Sequence, residues 1–412
     1  MRYLIDFTDI YLSNKNSGIQ RVVKNIYRNF KQQNINVHAV FLSNGKIYTF
    51  DLDNLNGNKK NKSTSITSIL NYFLTKLVER FPYKLIYYLQ WMKLELKRKR
   101  NISKSPNLQI TKSTGNDILI LADSSWGMNM WKSLEEAKNN DVKIITIIYD
   151  LIPINYPHLV RTCYTKIFIQ WLNKLYELSD SFICISETVK NELTEYYKNN
   201  NYEITSKYFS SFKLGCDFKQ SNYDLINIRQ VLINMFNNKS TYLIVSTIEP
   251  RKNHNLLLDT FTALWDKGFD IQLCIVGKDS GKCPYLISRI TNNKQLHTKL
   301  FWFDDINDDE LIYCYNNSKA LIFSSIVEGF GLPIVESLNF GLPVLASDIP
   351  VHKEVGKDMI DYFNIDNSNE LVKMIEDIES GKRELKRVDA EKVHITNWKE
   401  SAEDLLSKIF LT

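Results

Sequence analysis

Residues 324–341 read SSIVEGFGLPIVESLNFG, and the fold follows from this stretch. Residues 320–323, just before it, form a short apolar run that ends in serines, which suits a buried strand at its carboxyl end. Gly329 and Gly331 then make a loop that can turn sharply and let a ligand approach the backbone. Pro333 fits the first turn of a helix, Ile334, Val335 and Leu338 give that helix an apolar stripe, and Gly341 is placed to end it. A new strand follows at 343–346. Strand, glycine loop, helix, strand is the repeating unit of an open α/β sheet, which holds ligands at the carboxyl ends of its strands. The helix N-terminus at Phe330, Gly331 and Leu332 aims unpaired N–H groups at that crevice, a seat suited to phosphate.

Two carboxylates flank the loop, Glu328 before it and Glu336 one turn into the helix. A carboxylate beside a phosphate seat is unfavourable unless it has hydroxyls to accept from, so a ligand carrying both phosphate and polyol groups, a sugar nucleotide, fits best. Taken singly, either glutamate reads as a loop cap or a solvated helix residue; the pair around a glycine loop shifts the balance. EGFGLPIVE resembles the E-x7-E motif of retaining GT-B glycosyltransferases of glycosyltransferase family 4. The resemblance implies an α/β GT-B fold, two Rossmann-like domains with parallel sheets facing across a cleft. It also implies that Glu328 contacts hexose hydroxyls and Glu336 the nucleotide ribose.

Working outward, residues 241–246 read as an apolar strand running into Thr247-Ile248-Glu249-Pro250-Arg251-Lys252-Asn253, after which Leu257, Leu258 and Phe261 mark a helix. Arg251 and Lys252 therefore sit in a strand-to-helix loop on the crevice side. Adjacent cations there can neutralise a diphosphate without a metal, Arg as a fork and Lys as a point charge. EPRKN resembles the phosphate-binding loop of a mannosyltransferase-like subgroup of the same family. In many other members the arginine lies five residues before the lysine, where this chain has Thr247, so Lys252 matches more securely than Arg251. Strands at 271–276 and 300–302 and a helix at 308–315 continue the same cadence.

In the first half, residues 2–7 read as a strand and 12–18 as a polar loop. Ile19, Val22, Val23, Ile26, Tyr27 and Phe30 then recur at helical spacing. SGIQRVVKNI resembles the N-terminal glycine-loop signature of the same subgroup, which makes Gly18 a candidate donor contact; a tight structural turn is the alternative. Residues 117–121 and 143–149 read as strands, the latter an unalternating apolar run suited to a parallel sheet covered on both faces. Tyr149-Asp150-Leu151-Ile152-Pro153 resembles the family's H-D-L-I-P turn. Tyr149 stands where many members carry histidine, so a histidine contact is not carried over. Asp150 is retained, as a group near acceptor or donor hydroxyls or as the cap of its own turn. Strands at 181–185 and 209–214 close this half, and 224–236 reads as a helix between polar ends.

This divides the chain into an acceptor-binding domain over 1–219, a donor-binding domain over 220–395, and a C-terminal helix over 396–412, which in the resembled fold packs back across the junction. At 412 residues, with 44% hydrophobic and 24% charged residues, the chain can bury two cores. The six cysteines lack metal-ligand spacing and several lie in apolar runs, so reduced buried thiols in a cytoplasmic protein are expected. The opening MRYLID meets an acid too soon for a signal peptide, and no apolar run is long enough to span a bilayer. A net charge of +5 spread along the chain, without a nucleic-acid motif, gives no reason to expect a nucleic-acid partner. Residues 66–100 combine apolar residues at helical spacing, the aromatics Tyr83, Tyr87, Tyr88 and Trp91 and the cluster Lys97-Arg98-Lys99-Arg100. Two readings stand for them: a helix lying on the inner face of the cell membrane, or a helical hairpin packed on the first sheet.

The mechanism the residues allow is loss of a nucleoside diphosphate from a glycosyl donor, with charge stabilised on the leaving phosphate by Arg251, Lys252 and the helix N-terminus. Glu328, Asp150 and Lys252 form the candidate catalytic set, and no residue is placed as a covalent nucleophile. No cofactor and no metal are expected; Asp51-Leu52-Asp53 matches a D-x-D string, but no GT-A context follows it. The resemblance implies retention of configuration, with mannose from GDP-mannose passing to a lipid-linked or cell-surface glycan. A dinucleotide oxidoreductase would need G-x-G-x-x-G, of which only Gly329-Phe330-Gly331 is present. A non-catalytic sugar-nucleotide-binding or scaffold subunit of a polysaccharide assembly complex is the remaining alternative, kept by Tyr149.

Overall fold

Runs such as Asp117–Leu121 (DILIL) and Ile271–Val276 (IQLCIV) are buried along their whole length, as strands must be when helices cover both faces of a sheet. They lie in a computed structural model that describes residues 1–13, 18–52, 108–124, 126, 130–160, 162–216, 224–237, 239–390 and 392–411. The segment 66–100, with its two readings, and Asp53 of the D-x-D string lie outside the described residues.

The chain forms two compact units, one of residues 1–213 with 398–412, the other of residues 214–397. The first is built on an eight-stranded sheet: β1 (Arg2–Asp6), β2 (Val37–Ser43), β3 (Lys46–Phe50), β4 (Gln109–Thr111), β5 (Asp117–Leu121), β6 (Lys143–Ile148), β7 (Ser181–Cys184) and β8 (Tyr208–Ser211). Its spatial order is β4-β3-β2-β1-β5-β6-β7-β8, with only β3 and β4 antiparallel to their neighbours. The β2–β3 hairpin turns at Asn44-Gly45, both at positive φ (49° and 75°), as a two-residue Asn-Gly hairpin requires. The second unit carries a six-stranded, wholly parallel sheet in the order β11-β10-β9-β12-β13-β14. Its strands are β9 (Ser240–Val245), β10 (Ile271–Val276), β11 (Leu300–Phe303), β12 (Ala320–Phe323), β13 (Val344–Ser347) and β14 (Asp361–Phe363).

Four local expectations are revised. Residues 8–13 are helical (Thr8–Ser13), where the reading placed the start of a polar loop at 12; carboxylates organise the turn, Asp6 accepting from the Thr8 N–H at 3.0 Å and Asp123 from the Ile10 N–H at 2.8 Å. Strand β8 stops at Ser211 instead of 214, because the Lys213 N–H is taken by the Asp404 carboxylate and its carbonyl by the Ser401 hydroxyl. The helix read over 224–236 is a short 3-10 turn, Leu225–Asn227, and a separate helix, Gln230–Phe236, parted at Arg229. Arg229 is fixed there by Glu310, at 2.6 Å, and Asp305, at 2.8 Å. The units part at 213/214 instead of 219/220, since the Cys216 N–H donates to the Thr396 carbonyl at 2.9 Å and so ties residue 216 to the second unit.

The last helix, Trp398–Phe410, belongs to the first unit, where it packs on the helix Gly18–Gln32 and on β8 and buries Trp398, Ala402, Leu405 and Ile409. All six cysteines are unbridged, and four of them are buried. Among the described residues, no helix is long and apolar enough to cross a membrane.

Candidate functional site

The loops at the carboxyl ends of β9 and β12 bring together the cations and one of the glutamates singled out from sequence. After β9 the chain makes a 3-10 turn, Pro250–Lys252, then a left-handed residue, Asn253 (φ 54°), and enters the helix His254–Asp266. Asn tolerates that conformation better than most residues. The loop after β12 is stitched to this turn by the Ile326 N–H on the Arg251 carbonyl, at 2.8 Å, and by the Ser324 hydroxyl on the Lys252 carbonyl, at 2.9 Å.

Glu328 lies between the two cations. Its Oε2 accepts from Arg251 Nη1 at 2.6 Å, and its Oε1 accepts from Lys252 Nζ. Lys252 is 9% exposed, and its ammonium also lies 5.1 Å from the centre of the Phe323 ring. Burial alone would push the Glu328 carboxyl up, but the charges of Arg251 and Lys252 outweigh it and hold the group at about 2. Burial lowers the Lys252 ammonium from its ordinary value, against the opposing pull of Glu328.

Gly331 caps the next helix, Leu332–Asn339, at φ 103°, a left-handed conformation that glycine alone adopts without strain. Phe330, Gly331 and Leu332 thus form a turn at a helix N-terminus that follows Glu328 directly. Glu336 is buried on the inner side of that helix, 3% exposed, with Oε2 accepting from the Tyr315 hydroxyl at 2.7 Å.

Gly18 and Asp150 lie in the first unit, at the start of the helix Gly18–Gln32 and just after β6. Gly18 is exposed, and a Cβ built on it would meet no atom within 4 Å. Asp150 Oδ1 accepts from the Ile152 N–H at 3.1 Å, the local turn bond expected of an Asp before Leu-Ile-Pro. Tyr149 donates its hydroxyl to the Ala122 carbonyl at 2.6 Å, and burial, with Asp123 and Asp6 nearby, raises its pKa well above the ordinary value. It is a neutral hydrogen-bond donor there.

Several groups escaped the sequence reading. Glu249 was part of the quoted EPRKN string, yet its ion pair with Arg251, Nη2 to Oε1 at 2.7 Å, has no local signature. Tyr315, the partner of Glu336, lies 21 residues before it on another helix. Glu192 reaches the Asp150 turn from the helix Glu187–Asn199, accepting from Asn155 Nδ2 at 3.0 Å; burial first, then the Asp150 charge, lift its carboxyl to about 7. Asp123 is raised by burial and by Asp6 and Asp9. Among the described residues, no cluster of three or more His, Cys, Asp or Glu side chains could hold a metal ion.

Two α/β units on largely parallel sheets, the second with a cation pair and a glycine-capped helix at its strand ends, define the GT-B glycosyltransferase fold. Residues 230–392, which lie within the second unit, match the family model "Glycosyl transferases group 1". Among curated proteins, the chain is 32% identical over 268 residues to the serotype-specific mannosyltransferase WbdA of Escherichia coli, an alignment that covers 64% of this chain and 33% of WbdA. It is 25% identical over 236 residues to the O-antigen chain mannosyltransferase RfbU of Salmonella typhimurium, covering 56% and 60% of the two chains. The alignment therefore spans about a third of the length of WbdA. Among solved structures, Anabaena Alr3699/HepE in complex with UDP superposes with a TM-score of 0.57 at 13% identity, covering 99% of this chain and 95% of that one. A glycosyltransferase from Rickettsia africae gives the same TM-score at 16% identity, covering 100% and 93%. At these identities the likeness to solved structures concerns the fold.

Proposed function

We propose that the protein is a retaining hexosyltransferase that moves mannose from GDP-mannose to a lipid-linked or cell-surface glycan, without a metal ion. The observation that carries this reading is the cluster of Arg251 and Lys252 on Glu328, directly before a glycine-capped helix N-terminus, in a domain of glycosyltransferase group 1 type. The names of WbdA and RfbU as mannosyltransferases support the choice of sugar.

In this reading the leaving diphosphate sits on Lys252, Arg251 and the N–H groups of the turn at Gly331 and Leu332. Their charges and dipoles are already oriented before reaction, which is where electrostatic catalysis gains most. The donor's hexose hydroxyls donate to Glu328, whose low pKa keeps it an acceptor at all physiological pH. Glu336 accepts from the ribose, Gly18 lets the donor approach the backbone, and Asp150 orients a hydroxyl of acceptor or donor. The acceptor attacks from the face the diphosphate leaves. The enzyme acts in the cytoplasm, at or near the inner membrane face if residues 66–100 bind it.

The test is a thermal-shift screen of GDP, UDP, ADP and dTDP against wild type, Lys252→Ala and Glu336→Ala. A ligand that binds only the folded state raises the melting temperature by mass action. Stabilisation by GDP alone, lost in both variants, supports the reading; no shift with any nucleotide counts against it and favours a scaffold subunit. Hydrolysis of the donor in the absence of acceptor separates an enzyme from a binding subunit.

A further inference from the structure

We infer that Glu249 is a positioning residue for Arg251, holding the guanidinium in place while its other carboxylate partner, Glu328, is given over to the donor; this rests on reading the Arg251–Lys252 loop as the diphosphate seat. Arg251 is gripped from two sides. Nη2 pairs with Glu249 Oε1 at 2.7 Å, and Nη1 pairs with Glu328 Oε2 at 2.6 Å and lies 3.4 Å from the Val327 carbonyl. The two carboxylates differ in what else they do. Glu328 is shared with Lys252 and, on the proposed function, accepts from donor hydroxyls. Its bond to Arg251 is therefore the one that must loosen when phosphate arrives.

Glu249 has no such second duty. Its side chain is 13% exposed, and its other oxygen lies 3.3 Å from Lys282 Nζ, on the loop after β10. The backbone beneath it is fixed: the Ile248 N–H donates to the Lys278 carbonyl at 2.9 Å, and the Ser280 hydroxyl donates to the Ile248 carbonyl at 2.6 Å. Glu249 itself is extended (φ −149°, ψ 160°) immediately before the 3-10 turn that carries both cations. A planar guanidinium held at Nη2 from an anchored residue keeps its orientation while Nη1 exchanges one anion for another.

Charge and geometry predict opposite signs, which makes the inference testable. By Coulomb's law a carboxylate this near a diphosphate opposes its binding, so removing the Glu249 charge would tighten the complex. Positioning predicts that it weakens. The experiment is calorimetric titration of the full chain with GDP and, separately, UDP, for wild type, Glu249→Gln, Arg251→Ala and the double variant. We expect Glu249→Gln to weaken nucleotide binding about tenfold, equivalent to about 1.4 kcal/mol, and to cause no further loss once Arg251 is alanine. Tighter or unchanged binding in Glu249→Gln overturns the inference, as do losses that multiply in the double variant. Should Glu249→Gln not fold, Glu249→Asp keeps the charge but shortens the reach, and unchanged affinity there is equally decisive. Failure of wild type to bind either nucleotide would sink the reading of the seat itself. Binding that is lost in Arg251→Ala but indifferent to Glu249 leaves that reading intact and removes only this inference.

Discussion

Glu328 stands 77 residues from Arg251 and 76 from Lys252 in the chain, yet its two oxygens are divided between them. A buried pair of this kind contributes little net stability compared with apolar residues of similar volume, but removing one partner strands a buried charge. Glu328→Ala should therefore lower the unfolding free energy by about 3–5 kcal/mol. Glu328→Gln combined with Lys252→Met should recover most of that loss. Urea unfolding at neutral pH measures both, and a Glu328→Ala value within about 0.5 kcal/mol of wild type would show that Lys252 finds another partner. The pH dependence has a fixed sign. A carboxyl held at about 2, below its ordinary 4.5, adds stability that is complete above 4.5 and fades as the pH falls toward 2. That fading should be missing from the acid-unfolding profile of Glu328→Gln.

At the scale of elements, glycines at strand and helix ends have unequal roles. Gly277, just past β10, sits where a Cβ would lie 1.8 Å from the Ser246 carbonyl oxygen, a backbone atom with no freedom to move aside. Gly277→Ala should cost more than about 3 kcal/mol, beyond ordinary overpacking, by forcing β9 and β10 apart. Gly18→Ala meets nothing within 4 Å and should change stability by less than about 0.5 kcal/mol. Denaturant midpoints of the two variants give the comparison directly, and equal costs would refute it. If Gly18 admits the donor to the backbone, its alanine variant folds normally and loses turnover. The elements around 324–341 were legible because each boundary carries a local chemical mark: serines after β12, glycine at φ 103° before the helix, proline within its first turn. The hairpin of β2 and β3 was not read, although VHAVFLS and Asn44-Gly45 carry its signal. The candidate cluster was legible where one short string holds its cations, as in EPRKN. It was not legible where it depends on partners brought in by topology: Lys282 on Glu249, Tyr315 on Glu336 and Glu192 beside Asp150. Spacing along a chain reports which side chains share a helix face, and says nothing about which loops two separate strands deliver to one edge.

At the scale of the whole molecule, the chain leaves the first unit at 213/214 and returns to it at 397/398, so that unit is completed only by the last residues. The returning helix, Trp398–Phe410, buries Trp398 (1% exposed), Ala402, Leu405, Leu406 and Ile409. It packs on the helix Gly18–Gln32, which itself buries Val22, Val23, Ile26 and Phe30. Each large side chain exposed by losing this cover forfeits about 1.5–3 kcal/mol, and a whole domain is stable by only about 5–15 kcal/mol. A chain ending at residue 397 should therefore fail to fold its first unit. The second unit has its own sheet and its own buried clusters, built from residues of that unit. Calorimetry should show the 412-residue chain unfolding in two transitions and the shortened chain in one. If the donor phosphates bind at the Arg251–Lys252 loop, the surviving transition should still move upward with nucleoside diphosphate. Two intact transitions in the shortened chain would mean that the first unit closes its core without the helix; loss of both would mean that the two units fold as a single cooperative body, which the separate cores argue against.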